Sequence, residues 1–178
     1  MNLNRNQIIL IVCALILFGI MMRLMPHAPN ATPIAALAFV GSLYLGRRWS
    51  IILPLMALFL SDLLIGFYDW RIMLSVYGSF ALIGFLSWIC RKYNSFFSTG
   101  ITVIAGSLVF FLLTNTTVWL FSPWYEKSIS GLLYSYELGL PFLRNMLAGD
   151  IAYTFVLIGV FETAFVLSRV KVFSAKTA

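Results

Sequence analysis

The chain is 178 residues long, 61% hydrophobic and 10% charged, with a mean hydropathy of +0.95 and a formal net charge of +6. That balance excludes a water-soluble domain and predicts an integral membrane protein. At roughly 20 residues per crossing there is room for about six spans with short loops, so one transmembrane domain over residues 1–178 is expected.

The first apolar run is Ile8 to Met22, after a polar tip holding Arg5. Prolines and Arg23 follow where a small-residue cleavage site would sit, so the run reads as a retained helix. The second run is Pro33 to Leu45, with Thr32 and Pro33 as a cap and first-turn pair. Extension to Trp49 brings it near the length of a span. Runs three to five are Ile51 to Phe67, Ile72 to Cys90 and Ile101 to Phe121; Pro54 falls in a first turn and need not break its helix. The sixth runs from Asn145 to Leu167. The connector before it, SPWYEKSISGLLYSYELGLPFLR, is the longest, and its aromatic and charged pattern suits a short interfacial helix or lid. Cys13 and Cys90 lie in or beside apolar runs without metal-ligand spacing.

Basic residues orient these spans, because cytoplasmic loops carry the excess of Lys and Arg. One side holds Arg5, Arg47, Arg48, Arg91, Lys92, Arg169, Lys171 and Lys176, the other Arg23, Arg71, Lys127 and Arg144. Both termini are therefore expected in the cytoplasm, and RLMPHAPNATPIAALAF on the outer face. The positive charge is mostly this topology signal plus attraction to anionic lipid, and no basic aromatic patch points to nucleic acid.

In that orientation most polar residues within the spans fall toward the outer side. Asp62 is near the outer end of span three, Asn115 near that of span five, and Asn145 and Asp150 near the outer start of span six. Arg23, His27, Asn30 and Thr32 stand at the same level. Ionisable groups in a membrane bundle normally face its interior, a partner or a watery cavity, which makes this level a candidate site. Two other roles stay open: Asp62 and Asp150 pairing with Arg23 or Arg144, and the asparagines joining helices. Glu162, roughly 18 Å below Asp150 on a regular helix, is expected to pair with Arg47, Arg48 or Arg91, or to meet a cytoplasmic partner. Small residues four apart, Ala31/Ala35, Ala38/Ser42, Ala57/Ser61 and Ala148/Ala152, would allow close helix approach.

Motifs for nucleotide binding, zinc hydrolysis and serine hydrolysis are absent from the sequence, and one histidine cannot build a multi-histidine metal site. No catalytic residue, metal or cofactor is expected, and the chain reads as a non-enzyme. Any ATP-driven transport would need a second polypeptide, because this chain carries no nucleotide cradle.

The segments RLMPHAPNATPIAALAFVGSLYLG, LSDLLIGFYDW, VYGSF, LLTNTTVWL and LPFLRNMLAGDIAYT resemble a family of small bacterial six-span transport proteins. That family is in turn similar to the substrate-binding S components of energy-coupling-factor vitamin transporters. The resemblance implies an all-α six-helix bundle in the bacterial cytoplasmic membrane, with a substrate pocket under the loops joining spans one to two, three to four and five to six. It implies a small vitamin-like nutrient as substrate, moved by the chain alone or with a separate ATPase module and its membrane subunit. In S components small-residue patterns for docking lie in the first span, whereas Ala31 and Ala35 stand at the start of span two. The residues expected to bind substrate are Asn30, Asp62, Asn115, Arg144, Asn145 and Asp150 as polar contacts, with His27 and Trp70 at the rim and Trp119 and Tyr153 as apolar walls. The alternative is a structural or assembly subunit with no ligand.

Overall fold

The structure is a computed structural model that describes residues 4–93 and 95–176, with side chains as far as Leu167. The side chains of Arg169, Lys171 and Lys176, used above for orientation, lie outside that range. Among the described residues six α-helices follow one another: α1 (Arg5–Leu24), α2 (Ile34–Val40), α3 (Trp49–Ile65), α4 (Trp70–Cys90), α5 (Phe96–Phe121) and α6 (Ile129–Lys176). A π-helical turn, Gly41–Leu45, continues α2, and a 3₁₀ turn, Arg91–Tyr93, ends α4. No strand occurs among the described residues. By length and composition α1, α4, α5 and the apolar part of α6 can each cross a membrane, whereas Ile34–Leu45 and Trp49–Ile65 are shorter apolar helices.

Helix α2 is the axis of the bundle. Every residue from Ile34 to Val40 is buried, as expected of a helix that is apolar all round. It packs against α1, α3, α4 and α6, while α3 to α6 follow one another around it, and an edge contact between Phe18 and Tyr153 joins α1 to α6. This position explains why the expected extension of span two to Trp49 does not occur. A helix wrapped by protein has no hydrocarbon thickness to match, and Gly46, at φ 108°, turns the chain into α3 after Leu45. Pro33, rather than Thr32, occupies the cap position of α2 and makes no side-chain cap bond.

The close packing is made by small residues. A Cβ on Gly84 would stand 2.4 Å from the Ser50 carbonyl oxygen of α3, and one on Gly41 would stand 2.4 Å from the Trp49 carbonyl. Ser42 donates to the Ser87 carbonyl, and Ser87 donates back to the Ala38 carbonyl, each at 3.1 Å. Of the expected small pairs, Ala35, Ala38, Ser42, Ala57 and Ser61 are buried, whereas Ala148 and Ala152 face outward.

The largest departure from expectation is α6. The connector expected to be a separate interfacial helix or lid forms the first turns of one 48-residue helix, about 72 Å long. Its signal was Gly131, Ser135 and Gly139, four apart and all buried: Gly139 lets α6 lie against Phe111 and Asn115 of α5, and Gly131 admits the Glu126 backbone of the preceding connection. The two helices run antiparallel, with Gly139 beside Phe111 and Asn115, Asp150 beside Ser107, and Phe155 stacked on Phe96. Pro141 lies inside α6 and removes the bond that an N–H there would give the Glu137 carbonyl.

Substituting Gly84 with alanine is expected to cost on the order of 1–3 kcal/mol, because α4 must move off the α3 backbone. Gly78, with nothing within 4 Å of its would-be Cβ, should tolerate alanine or gain roughly 0.5–1 kcal/mol from the lost chain freedom. Thermal unfolding of both variants in detergent checks the contrast.

Candidate functional site

The alternating helix directions gather the connections 25–33, 66–69 and 122–128 at one end of the bundle, and the basic residues Arg47, Arg48, Arg91 and Lys92 at the other. At the first end lies a buried charge cluster. Asp62, one turn before the end of α3, is 1% exposed. Arg23, in the last turn of α1, meets its Oδ1 through Nη2 at 2.8 Å and is itself 17% exposed. The other guanidinium nitrogen donates to Ser61 Oγ at 2.6 Å and to the Leu58 carbonyl at 3.3 Å. Tyr77 of α4 donates its hydroxyl to Asp62 Oδ2 at 2.8 Å. Three helices are thus joined through one carboxylate, and among the described residues this is the one ion pair.

The loop after α3 stands against the cluster. Gly66, at φ 109°, breaks the helix, and Asp69 caps α4 by accepting from the Arg71 and Ile72 backbone N–H groups. Tyr68 lies between them, and its phenol is pushed up to about 12, by burial first and then by the Asp62 charge, with Arg23 opposing.

The expected site residues fall into separate groups. Asp62 is in the cluster. His27 is exposed, with Nδ1 2.7 Å from the Met25 carbonyl, and Asn30 is exposed in a left-handed turn at φ 65°, a conformation asparagine tolerates. Trp70 is 67% exposed beneath the Arg71 guanidinium, which also covers Phe121. Asn115 donates to the Phe111 carbonyl within its own helix. It approaches α6 at Gly139, and α4 separates α5 from α3.

Trp119 is no free wall, since its indole donates to the Glu126 carbonyl while Lys127 binds the carbonyls of Trp119 and Ser122, which ties the α5–α6 turn shut. Tyr153 packs edge-on to Phe18. Arg144 is exposed and Asn145 half-buried, both between the levels of Asn115 and Ser107. Asp150, expected at the start of a span, lies about 30 Å from the first turn of α6. Its partner is Ser107, at 2.7 Å. The early start of α6 is the reason: it carries residues 144–150 down the side of α5 instead of leaving them at the loops.

Sequence reasoning missed Tyr77 and Ser107, and named Ser61 only for close helix approach, not as a partner of Arg23. Nothing in their spacing shows which face meets which neighbour. Glu162 also differs from expectation, because Tyr44 donates to it at 2.6 Å, and no arginine pairs with it among the described residues. The π-helical turn brings Tyr44 there, stacked on Phe161 and tilted against Phe165. Arg47 instead covers the Trp88 ring at 4.0 Å. A cleft of about 330 Å³ opens beside Tyr44 and Glu162, lined also by Phe96, Thr99 and Phe155. Among the described residues no three of His, Cys, Asp and Glu gather to hold a metal ion.

The sequence model of a family described as "Family of unknown function (DUF6580)" matches residues 3–173, so the chain belongs to that family. Neither the curated proteins nor the solved structures give a match.

Removing one member of the Arg23–Asp62 pair leaves a charge in the bundle without its partner, so Arg23→Ala should cost on the order of 3–5 kcal/mol. Replacing both, as Arg23→Met with Asp62→Leu, should recover most of that loss. A double-mutant cycle on unfolding in detergent measures the coupling.

Proposed function

Since membership of a family of unknown function supplies no activity, we propose from the chain's own residues that it is a membrane transport protein capturing a small vitamin-like nutrient. The observation that carries this reading is the Arg23–Asp62–Tyr77 cluster, buried directly below the connections 25–33 and 66–69. Ionisable groups are expensive in a membrane bundle and mark substrate or ion pathways more often than not. The cluster supplies a guanidinium, a carboxylate and phenols, which together suit a ligand with both donors and acceptors. Asn30, His27 and Trp70 rim the same end, and their exposure leaves them free for a ligand that closes the loops on binding.

The basic residues at the far end support an orientation with that end in the cytoplasm and the capture end outside, and the reading takes the membrane to be the bacterial inner membrane. The resemblance to S components of energy-coupling-factor transporters supports the same orientation and a separate ATPase module with its membrane subunit as partner; movement by the chain alone is the other route. The reading assigns no reaction to the chain.

One observation favours a structural or assembly subunit instead. Asp62 is already held by Arg23 and Tyr77, so binding there must displace or extend an existing network.

A screen of vitamins and cofactors for thermal stabilisation of the detergent-purified protein separates the two. A ligand present at 100 times its dissociation constant should stabilise by about 2.7 kcal/mol. The ligand-induced shift, taken against each variant's own baseline, should shrink in Asp62→Asn and Asn30→Ala. No stabilising compound would favour the assembly reading, and full shifts in both variants would remove these residues from the site.

A further inference from the structure

Asp150 is 2% exposed, and Ser107 lies near the middle of α5, about 16 Å along the axis from Phe96 and about 21 Å from Phe121. Among the described residues the surroundings hold no counter-charge. Neither α5 nor the segment Ile34–Leu45 contains an Asp, Glu, Lys, Arg or His, and α5 contains no Tyr or Cys. Tyr44, the titratable group of the α2 segment, is bound to Glu162 near the other end of the bundle. Among the titratable groups of α1, Arg23 is engaged with Asp62, Cys13 faces outward, and Arg5 lies at the far end. On α6 itself Tyr153 packs on Phe18, Tyr136 shares a hydrogen bond with Thr116, and Arg144, Glu137 and Tyr134 face outward. An ionised carboxylate in such a place has lost its water and found no cation.

The hydrogen bonds suit the neutral acid instead. Ser107 Oγ lies 2.7 Å from Asp150 Oδ2 and 3.0 Å from the Val103 carbonyl. Its one hydrogen can serve only one of these acceptors. With Asp150 protonated, the carboxyl O–H donates to Ser107 Oγ and the serine hydroxyl donates to Val103, so both contacts are made. With Asp150 ionised, the serine hydrogen turns to the carboxylate and the Val103 contact lapses.

A second observation lies one turn along α6. Thr154 is fully buried, and its Oγ1 has no hydrogen-bond partner. Elsewhere in the helices the hydroxyls of Ser79, Thr102, Ser107, Thr114, Thr116 and Thr117 bond back to the carbonyl four residues earlier. For Thr154 that carbonyl belongs to Asp150, and the bond is not made. A polar atom withheld from its ordinary local partner is the kind of group that a guest in the bundle interior would satisfy.

We propose that Asp150 is a proton-binding site in the interior of the bundle, braced by Ser107 and exchanging its proton along the face that carries Thr154. Loss of the proton to water leaves the carboxylate, and the Ser107 hydrogen then swings from Val103 to Asp150 Oδ2. The site gives the chain a chemical group able to couple its conformation to a proton gradient. It stands apart from the nutrient-capture reading, because proton occupancy is measured without any substrate.

The experiment is infrared spectroscopy of the full chain in liposomes, with the aspartate carboxyl carbons isotopically labelled, at neutral pH. The expected result is a protonated-carboxyl C=O band that moves with the label, is lost in Asp150→Asn and is displaced in Ser107→Ala. Thr154→Val should slow the shift of that band in deuterium oxide. Absence of the band in the parent, its persistence in Asp150→Asn, or its loss on adding Na⁺ at constant pH would overturn the proposal. Should Asp150→Asn fail to fold, the label in the parent and the Ser107→Ala displacement decide, and an unmoved band in Ser107→Ala counts against it.

Discussion

The complete burial of α2 is the constraint on which the rest of the bundle depends. A helix with seven buried residues in succession presents no face to solvent or lipid, so other helices must cover it on every side. Close approach then requires small residues where backbones meet. Gly84 against Ser50, Gly41 against Trp49 and Gly149 against Ala31 are those places. The backbone also offers acceptors to the serines of neighbouring helices, and the reciprocal Ser42–Ser87 exchange between α2 and α4 uses them. In an apolar medium such bonds have no competition from water, although measured values in membrane proteins remain modest, about 0.6 kcal/mol on average.

Enclosing one apolar helix leaves few places for charge, and the three carboxylates packed against other helices are accommodated in three ways. Asp62 has a full partner in Arg23, itself held by Ser61, a hydrogen bond from Tyr77, and a position one turn from the loops. Glu162 is exposed near the opposite end and needs only the Tyr44 hydroxyl. Asp150 is the deepest and has the least, a single serine. The order runs against what charge neutralisation alone would arrange, since the best-buried mid-bundle carboxylate has no cation. Asp62 has a cation paired with it, whereas Asp150 has none among the described residues.

The long α6 ties these features together. It begins beside the last turns of α5, passes Asp150 to Ser107 at mid-length, and reaches Tyr44 and Glu162 where the π-helical turn ends the α2 segment. π-Helical turns often occur at functional positions, and here the turn places an aromatic ring and a hydroxyl on α6 beside a cleft. A single helix therefore touches the loop end, the buried acid and the basic end, so a shift of α6 along α5 would be felt at all three.

Composition and hydrophobic runs alone determined that the described residues are helical, that they include helices apolar enough to cross a membrane, and roughly where the first five begin; the sixth starts at Ile129, well before the expected Asn145. Those properties follow from local chemistry: side-chain polarity, proline and glycine positions, and the length of each apolar run. The pairing of Asp62 with Arg23 was one of the alternatives the sequence left open, because both were expected at the same level of the bundle. Rotation about each helix axis was not legible, and it is set by packing between residues far apart in sequence. Only the tertiary structure could decide that Ser107 faces Asp150, that Tyr77 reaches Asp62 and that Glu162 meets Tyr44. Depth along α6 was lost for a related reason. The small Gly139 has no meaning until α5 lies against it, and once it does, Asp150 moves from the rim to the middle of the bundle.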